Sequence, residues 1–263
     1  MTGRVMLDGE GGVAFVTLSN PDRLNAMTRA MWRELQQVFT RVQAGNEWRC
    51  VLVQGAGQAF CAGGDIGEYP AFRFDTASLR AFHEGEVWGG LRALLECDVP
   101  VIAAIDGPCM GAGVEIACGC DIRLASHGAR FGAPIARLGF PMAPREAALV
   151  TRMAGEATAR EILLEAAVLD AAEMKVRGFL HETLPADALG ARALDRARRV
   201  AALAPRAARQ NKRTLRTLNR PSSIAIQAQD ALESIVIDAY DYADSAEHRE
   251  GIGAFLQKRP PRF

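Results

Sequence analysis

The spacing of apolar residues along the chain switches repeatedly between two periods. Short apolar runs at 13–18, 50–54, 101–105 and 122–125 are bounded by Gly, Pro, Asn or Asp and predict buried strands. Longer segments carry apolar residues three and four apart and predict helices. The first helix is expected to run to about 43, with Met31, Leu35, Val38 and Val42 on one face and Thr28 as its N-cap. One long helix is expected over 76–97. Shorter ones are expected over 114–119, 145–153, 157–165 and 171–176, and an Ala- and Arg-rich one over 186–203. The last third reads as helices over 206–218, 222–240 and 246–257. Residues 130–134 read as extended and 135–144 as a loop. This recurrence of strand, turn and helix predicts an α/β core with a helical tail.

Two glycine-rich turns interrupt the pattern at equivalent places. One, 55–64, follows the second predicted strand; the other, Gly111-Ala112-Gly113, follows the third. Each leads from a strand towards a helix start. Amides there lack intrahelical partners and sit at the positive end of the helix dipole. They suit an anion, or an oxygen that becomes negative during a reaction. Glu115 lies three residues after Ala112 and shares its helix face, so an amide donor and a carboxylate reach one small volume. A plain reading stands beside this one: an acid in a first helical turn complements the dipole, and small residues ease a tight turn. Asp65 is a candidate cap for the helix after the first turn. Neither turn is G-x-G-x-x-G, which argues against a dinucleotide site.

Composition narrows the function classes. With 263 residues and 49% hydrophobic content, the chain can bury a large core, and one large domain or a domain with an appendage is expected. Thirty-one basic and 31 acidic side chains cancel, which argues against a nucleic-acid partner and favours self-association. The six cysteines show no C-x-x-C pair and read as small core residues. Cys118 and Cys120 lack a matching second pair or a His cluster, so no metal is expected. The first twelve residues do not read as a secretory signal, and no apolar run reaches membrane-spanning length. The expectation is a cytoplasmic protein without a membrane partner.

Taken together, the motifs resemble the crotonase (enoyl-CoA hydratase/isomerase) superfamily. The resemblance rests on Ser19-Asn-Pro-Asp-Arg-Leu-Asn-Ala-Met27, Ala59-Phe-Cys-Ala-Gly-Gly-Asp-Ile66, Pro100-Val-Ile-Ala-Ala-Ile-Asp-Gly107 and Gly111-Ala-Gly-Val-Glu115. It continues through Cys120-Asp-Ile-Arg-Leu-Ala125, Arg130-Phe-Gly132 and Ala254-Phe-Leu-Gln-Lys-Arg259, in order over nearly the whole chain. It implies an α/β spiral of ββα repeats, 1–200, followed by a helical C-terminal trimerisation region, 201–263, in a homotrimer or dimer of trimers. It implies an acyl-CoA thioester substrate, coenzyme A being part of the substrate and not a separate cofactor. The Gly64 and Ala112 amides would form an oxyanion hole beside Glu115. Arg23, Leu24, Ala62, Gly64, Asp65, Ile66, Phe255 and Lys258 match positions that hold coenzyme A, and Arg23 and Lys258 are sensible phosphate partners.

One position departs from the family's pattern. Its hydratases use two glutamates; Glu115 matches one, and Ile135 stands where the second falls. Hydration suits two carboxylates, and isoleucine cannot titrate. His83, Glu84 and Glu86 lie on the expected long helix, with His83 and Glu86 near one face, and read as solvated polar residues. Glu146 reads as an acid favouring a helix start. Ser126-His127, adjacent in sequence, is no triad, and Cys61 is assigned no nucleophilic part. The leading expectation is an enoyl-CoA hydratase or isomerase. A decarboxylase or carbon–carbon lyase of the same superfamily and a non-catalytic acyl-CoA-binding subunit are the alternatives.

Overall fold

The computed structural model describes residues 3–203, 205–218, 243–244 and 246–259. The helix expected over 222–240 lies outside them.

Arg4–Glu10 (β1) and Val13–Ser19 (β2) form an antiparallel hairpin that turns at Gly11-Gly12, both at positive φ. Cys50–Gly55 (β3) and Val101–Ile105 (β4) then add to β2 in parallel. Pro108–Met110 (β5) starts a second sheet. Ile122–Ser126 (β6) returns to the first, Arg130–Gly132 (β7) and Val168–Asp170 (β8) complete the second, and Glu182–Leu184 (β9) ends the first. The strand orders are β1-β2-β3-β4-β6-β9 and β5-β7-β8.

The near-continuous apolar character of β3 and β4 follows from burial on both faces. Val51, Val53, Val101, Ala103 and Ile105 point into the main core. That core also holds Arg29–Ala44 (α1), Trp88–Glu96 (α3) and Ala112–Gly119 (α4), with Trp32, Leu35, Leu91 and Ile116 among its side chains. Leu52, Ile102, Ala104 and Leu124 point the other way, onto Ala186–Ala201 (α8). Leu189, Ala193, Ala197 and Ala201 make the facing stripe of α8, four residues apart, and its arginines lie outside it. Thr28 caps α1 through the Met31 amide, as its sequence position predicts.

The long helix expected over 76–97 is interrupted. Thr76–Ala81 (α2) passes into a π-helical turn, Phe82–Val87, before α3 begins. The wider i→i+5 turn rotates each residue less than an α-helix does, so a face read at α-helical spacing is lost here. Pro144–Ala154 (α5), Glu156–Leu164 (α6) and Ala171–Val176 (α7) match the predicted helices closely. The segment expected as loop after residue 134 contains a 3₁₀ turn, Pro134–Leu138.

Pro205–Leu218 (α9) is tied to the core by its cations. Arg209 donates to the Gly45 and Trp48 carbonyls, Lys212 pairs with Asp121, and Arg213 and Arg216 pair with Asp98. The C-terminal helix, Ala246–Leu256, packs against the Pro134–Leu138 turn so closely that a Cβ at Gly251 would come within 2.0 Å of the Leu138 carbonyl oxygen. All six cysteines are buried free thiols. Among the described residues no helix is long and apolar enough to cross a membrane, and no group of three His, Cys, Asp or Glu is placed to hold a metal ion.

Candidate active site

A cavity of about 440 Å³ lies where the segments after β3 and β4 meet. Ligand crevices of parallel sheets favour this carboxyl end of the strands.

The two glycine turns form one wall. Asn25, at φ 60°, donates from Nδ2 to the Ala56 and Ala59 carbonyls and so pins the first turn. Cys61 pairs with Cys109 in an isolated parallel bridge, and the Met110 amide donates to the Cys61 carbonyl at 2.8 Å. A Cβ at Gly113 would sit 2.5 Å from that carbonyl oxygen, so a hydrogen is all that fits there. The second turn therefore lies directly on the first. Gly111 takes φ 46°, in the left-handed region, to start α4. Gly64 and Ala112 both line the cavity, and no described residue accepts a hydrogen bond from either amide. Two such donors can hold one oxygen that gains negative charge.

Glu115, one turn into α4, lines the same cavity and is 9% exposed. Sequence reasoning left burial and the helix dipole in opposition. Burial wins: it pushes the carboxyl well above its usual range, the nearby Glu146 charge adds to this, and Arg73 opposes it.

The other wall is built from side chains. Ile135 contributes an apolar patch from the Pro134–Leu138 turn. Around it runs a chain of polar groups from four separate segments. Glu146 Oε1 lies 3.2 Å from His83 Nδ1, His83 Nε2 lies 3.3 Å from Arg73 Nη1, and Arg73 Nε lies 3.3 Å from His248 Nε2. Arginine can only donate, so both Nε2 atoms accept and both Nδ1 atoms carry the proton. His83 then donates to Glu146, and His248 donates to the Ala243 carbonyl at 2.9 Å. Arg73 is 1% exposed, and its guanidinium lies 4.4 Å from the Tyr69 ring centre and 4.1 Å from that of Phe140. Burial lowers the pKa of both histidines, His248 to about 4, although the Glu146 hydrogen bond pulls His83 upward.

This wall corrects the sequence reading of His83, Glu84 and Glu86. His83 lines the cavity with its side chain 12% exposed, and Glu146 behind it is 2% exposed. Glu86 points elsewhere, pairing with Arg29 and Arg33 of α1, and Glu84 pairs with Arg145. The π-turn separates His83 from Glu86, which α-helical spacing had put on one face. Glu146, read as a favourable acid at a helix start, does stand in the first turn of α5 and is buried beside His83.

Of the positions that the resemblance linked to coenzyme A, Arg23, Leu24, Ala62, Gly64, Asp65, Ile66 and Phe255 line the cavity. Lys258 does not; it is exposed beyond the C-terminal helix, at φ 53°. Asp65 accepts from the Gly67 amide and caps a 3₁₀ helix, Ile66–Ala71, where an ordinary helix was expected. Burial pushes the Cys61 thiol up to about 12. Tyr69, Arg73 and Phe140 escaped sequence reasoning. A trace of the first two was present in Tyr69-Pro-Ala-Phe-Arg-Phe74, an arginine set among aromatics.

Comparison with known proteins bears on the family and the fold. A profile described as enoyl-CoA hydratase/isomerase matches residues 8–263. A short-chain-enoyl-CoA hydratase of Clostridium acetobutylicum is 31% identical over 257 residues, 97% of this chain and 95% of that protein. A probable enoyl-CoA hydratase of Mycobacterium bovis is 29% identical, over 98% of this chain and 97% of its own. The crystal structure of an enoyl-CoA hydratase/carnithine racemase from Magnetospirillum magneticum superposes with a TM-score of 0.81 at 37% identity, covering 100% of this chain and 96% of that one. The expected crotonase-type fold is thus the observed one, and the chain belongs to the enoyl-CoA hydratase/isomerase family.

Proposed function

We propose that the protein binds acyl-CoA thioesters and catalyses a hydratase- or isomerase-type reaction through an enolate. The thioester oxygen is held by the Gly64 and Ala112 amides, and Glu115 moves a proton at the neighbouring carbon. The observation that carries this reading is the pair of amides without a described acceptor, set beside a buried carboxyl in one cavity. Losing one such donor typically costs about 10²–10³ in rate, so the pair accounts for several kcal/mol of transition-state stabilisation. Coenzyme A enters as part of the substrate. Arg23, Leu24, Ala62, Asp65, Ile66 and Phe255 border its path, and the exposed Lys258 meets a phosphate at the outer end.

The same proposal divides the chain into a core, 1–200, and a helical region, 201–263, that assembles it into a trimer or dimer of trimers. Exposed Leu164, Val168 and Val176, on the consecutive elements α6, β8 and α7, support self-association, because apolar surface of this kind gains by being covered. Six buried thiols fit a reducing cytoplasm.

The test is calorimetry with crotonyl-CoA and with free crotonate, beside turnover of an acyl-CoA panel read by mass spectrometry. The thioester should bind at least tenfold more tightly and be converted. Equal affinity for acid and thioester would overturn the proposal.

A further inference from the structure

Adding water to a conjugated thioester requires two proton transfers at separate atoms. Glu115 is placed for one of them, and Ile135, where the family's hydratases carry a second glutamate, can perform neither. We propose that His83, oriented by Glu146, is the second acid–base group of this site and restores two-group hydration without a glutamate at position 135. The proposal rests on the acyl-CoA reading and deepens it.

Three observations carry it. The first is position: His83, Ile135 and Glu115 line one cavity, so an imidazole stands on the wall where the second carboxylate is missing. The second is backbone. The π-turn at Phe82–Val87 carries His83 to the cavity while Glu86, three residues on, binds the arginines of α1. Single π-turns inside helices are frequent at functional sites. The third is the arrangement of base and orienter. Glu146 receives the Nδ1 proton, which leaves Nε2 as the basic nitrogen. Arg73 Nη1 donates to this nitrogen at 3.3 Å, and in the proposed reaction the incoming water takes the place of that contact.

The electrostatics complement this geometry. His83 is faced by Glu146 from α5, by Arg73 from the segment after Ile66–Ala71, and by Glu84 from its own turn, while Glu115 faces Glu146 from α4. Burial favours the neutral imidazole of His83, and burial with the Glu146 charge favours the protonated carboxyl of Glu115. A neutral imidazole can take a proton and a protonated carboxyl can give one, which suits His83 to the part of base and Glu115 to that of acid.

The steps balance as follows. His83 Nε2 takes one proton from a water as its oxygen bonds to the β-carbon of the enoyl group. The electron pair of the double bond moves to the thioester oxygen, held as an enolate by the Gly64 and Ala112 amides. The enolate collapses, and its α-carbon takes the proton of Glu115. The proton on His83 returns through solvent to Glu115. One water has been added, and nothing is oxidised or reduced. His83 is the catalytic residue in this scheme and Glu146 the positioning residue.

The experiment measures crotonyl-CoA hydration, thioester binding and melting for the wild type, His83→Gln, Glu146→Gln and His83→Gln/Ile135→Glu. His83→Gln should lose about 10²–10⁴ in kcat, with KM and melting temperature nearly kept. The wild-type rate should fall on the acid side as His83 gains a proton, at a pH below its ordinary value of about 6.5. Glu146 raises the affinity of His83 for that proton, so Glu146→Gln should move this limb to lower pH, an effect that packing alone does not produce. Ile135→Glu should return at least tenfold of the rate lost in His83→Gln. Hydration by His83→Gln within twofold of wild type overturns the proposal. So does a loss of rate that appears only with a loss of melting temperature and is not relieved by Ile135→Glu. Wild-type protein that binds thioester but hydrates nothing overturns it and leaves the acyl-CoA reading standing; absence of thioester binding sinks both.

Discussion

The two walls of the cavity are made by different means. The turns at Gly63-Gly64 and Gly111-Ala112 present main-chain amides to the cavity, and their side chains are small or absent. The facing wall works with side chains, Arg73, His83, Glu146 and His248, from segments as far as 175 residues apart. A main-chain wall is fixed by backbone geometry and close approach, and at Gly64 and Gly113 it leaves no room for a Cβ. A side-chain wall exists only after the whole chain has folded, and its members depend on one another for proton placement and charge.

The largest effect that sharpens this contrast should come from the carboxylate between the walls. Glu115→Gln keeps the shape but cannot accept or deliver the proton. Turnover should fall by about 10²–10⁴ while thioester affinity stays nearly intact. Steady-state rates set beside calorimetry read both numbers, and an unchanged rate would remove Glu115 from the chemistry.

Next in size is an attack on the main-chain wall. A Cβ at Gly64 would lie 2.1 Å from the Tyr69 hydroxyl oxygen and 3.1 Å from Cζ. Gly64→Ala should displace the amide and cost about 10²–10³ in kcat. Tyr69→Phe removes the nearest obstacle, so the double variant should recover part of that loss. Recovery measured as kcat separates a steric fault from a chemical one; a double variant no better than Gly64→Ala would mean that the turn tolerates no Cβ for reasons of its own.

The smallest effect concerns stability. Glu115 holds its proton to higher pH in the folded chain than in the unfolded one. Between the ordinary carboxylate value of about 4.3 and the raised folded value, the folded state therefore binds more protons. Its stabilising contribution is complete below that range and is lost as pH rises through the folded value. Glu115→Gln abolishes this loss, so its melting temperature should gain on the wild type as pH increases. Melting curves across pH 4–9 check the sign, and a variant that loses ground to the wild type as pH rises would refute it.

The contrast also explains what the sequence disclosed. Strands β3 and β4 announced themselves because both faces are buried, which leaves an unbroken apolar run. Gly64, Ala112 and Glu115 were legible because small residues after a strand are a local signature, and all three line the cavity. β1 escaped because Val5 is its one buried residue; β8 and β9, at three residues each, are too short to establish a period. The π-turn left no trace in spacing, so His83 was placed on the wrong face. Arg73 attracted no attention because what makes it notable is burial between Tyr69 and Phe140, which comes from tertiary packing.

The buried cysteines give the molecule an internal clock. Reagents attack thiolates, and burial pushes the thiols of Cys50, Cys61, Cys118 and Cys120 up to about 12. The closed fold thus presents an alkylating agent with almost no reactive sulfur, and the speed of labelling becomes the frequency with which each neighbourhood opens. Cys61 and Cys109 sit on the bridge between the two turns, so their labelling times the parting of the main-chain wall. Cys50 lies in the layer under α8 and times the lifting of that helix from the sheet. A ligand clasped by the turns slows the first pair and leaves Cys50 unhurried, which makes occupancy of the site readable from sulfur chemistry alone.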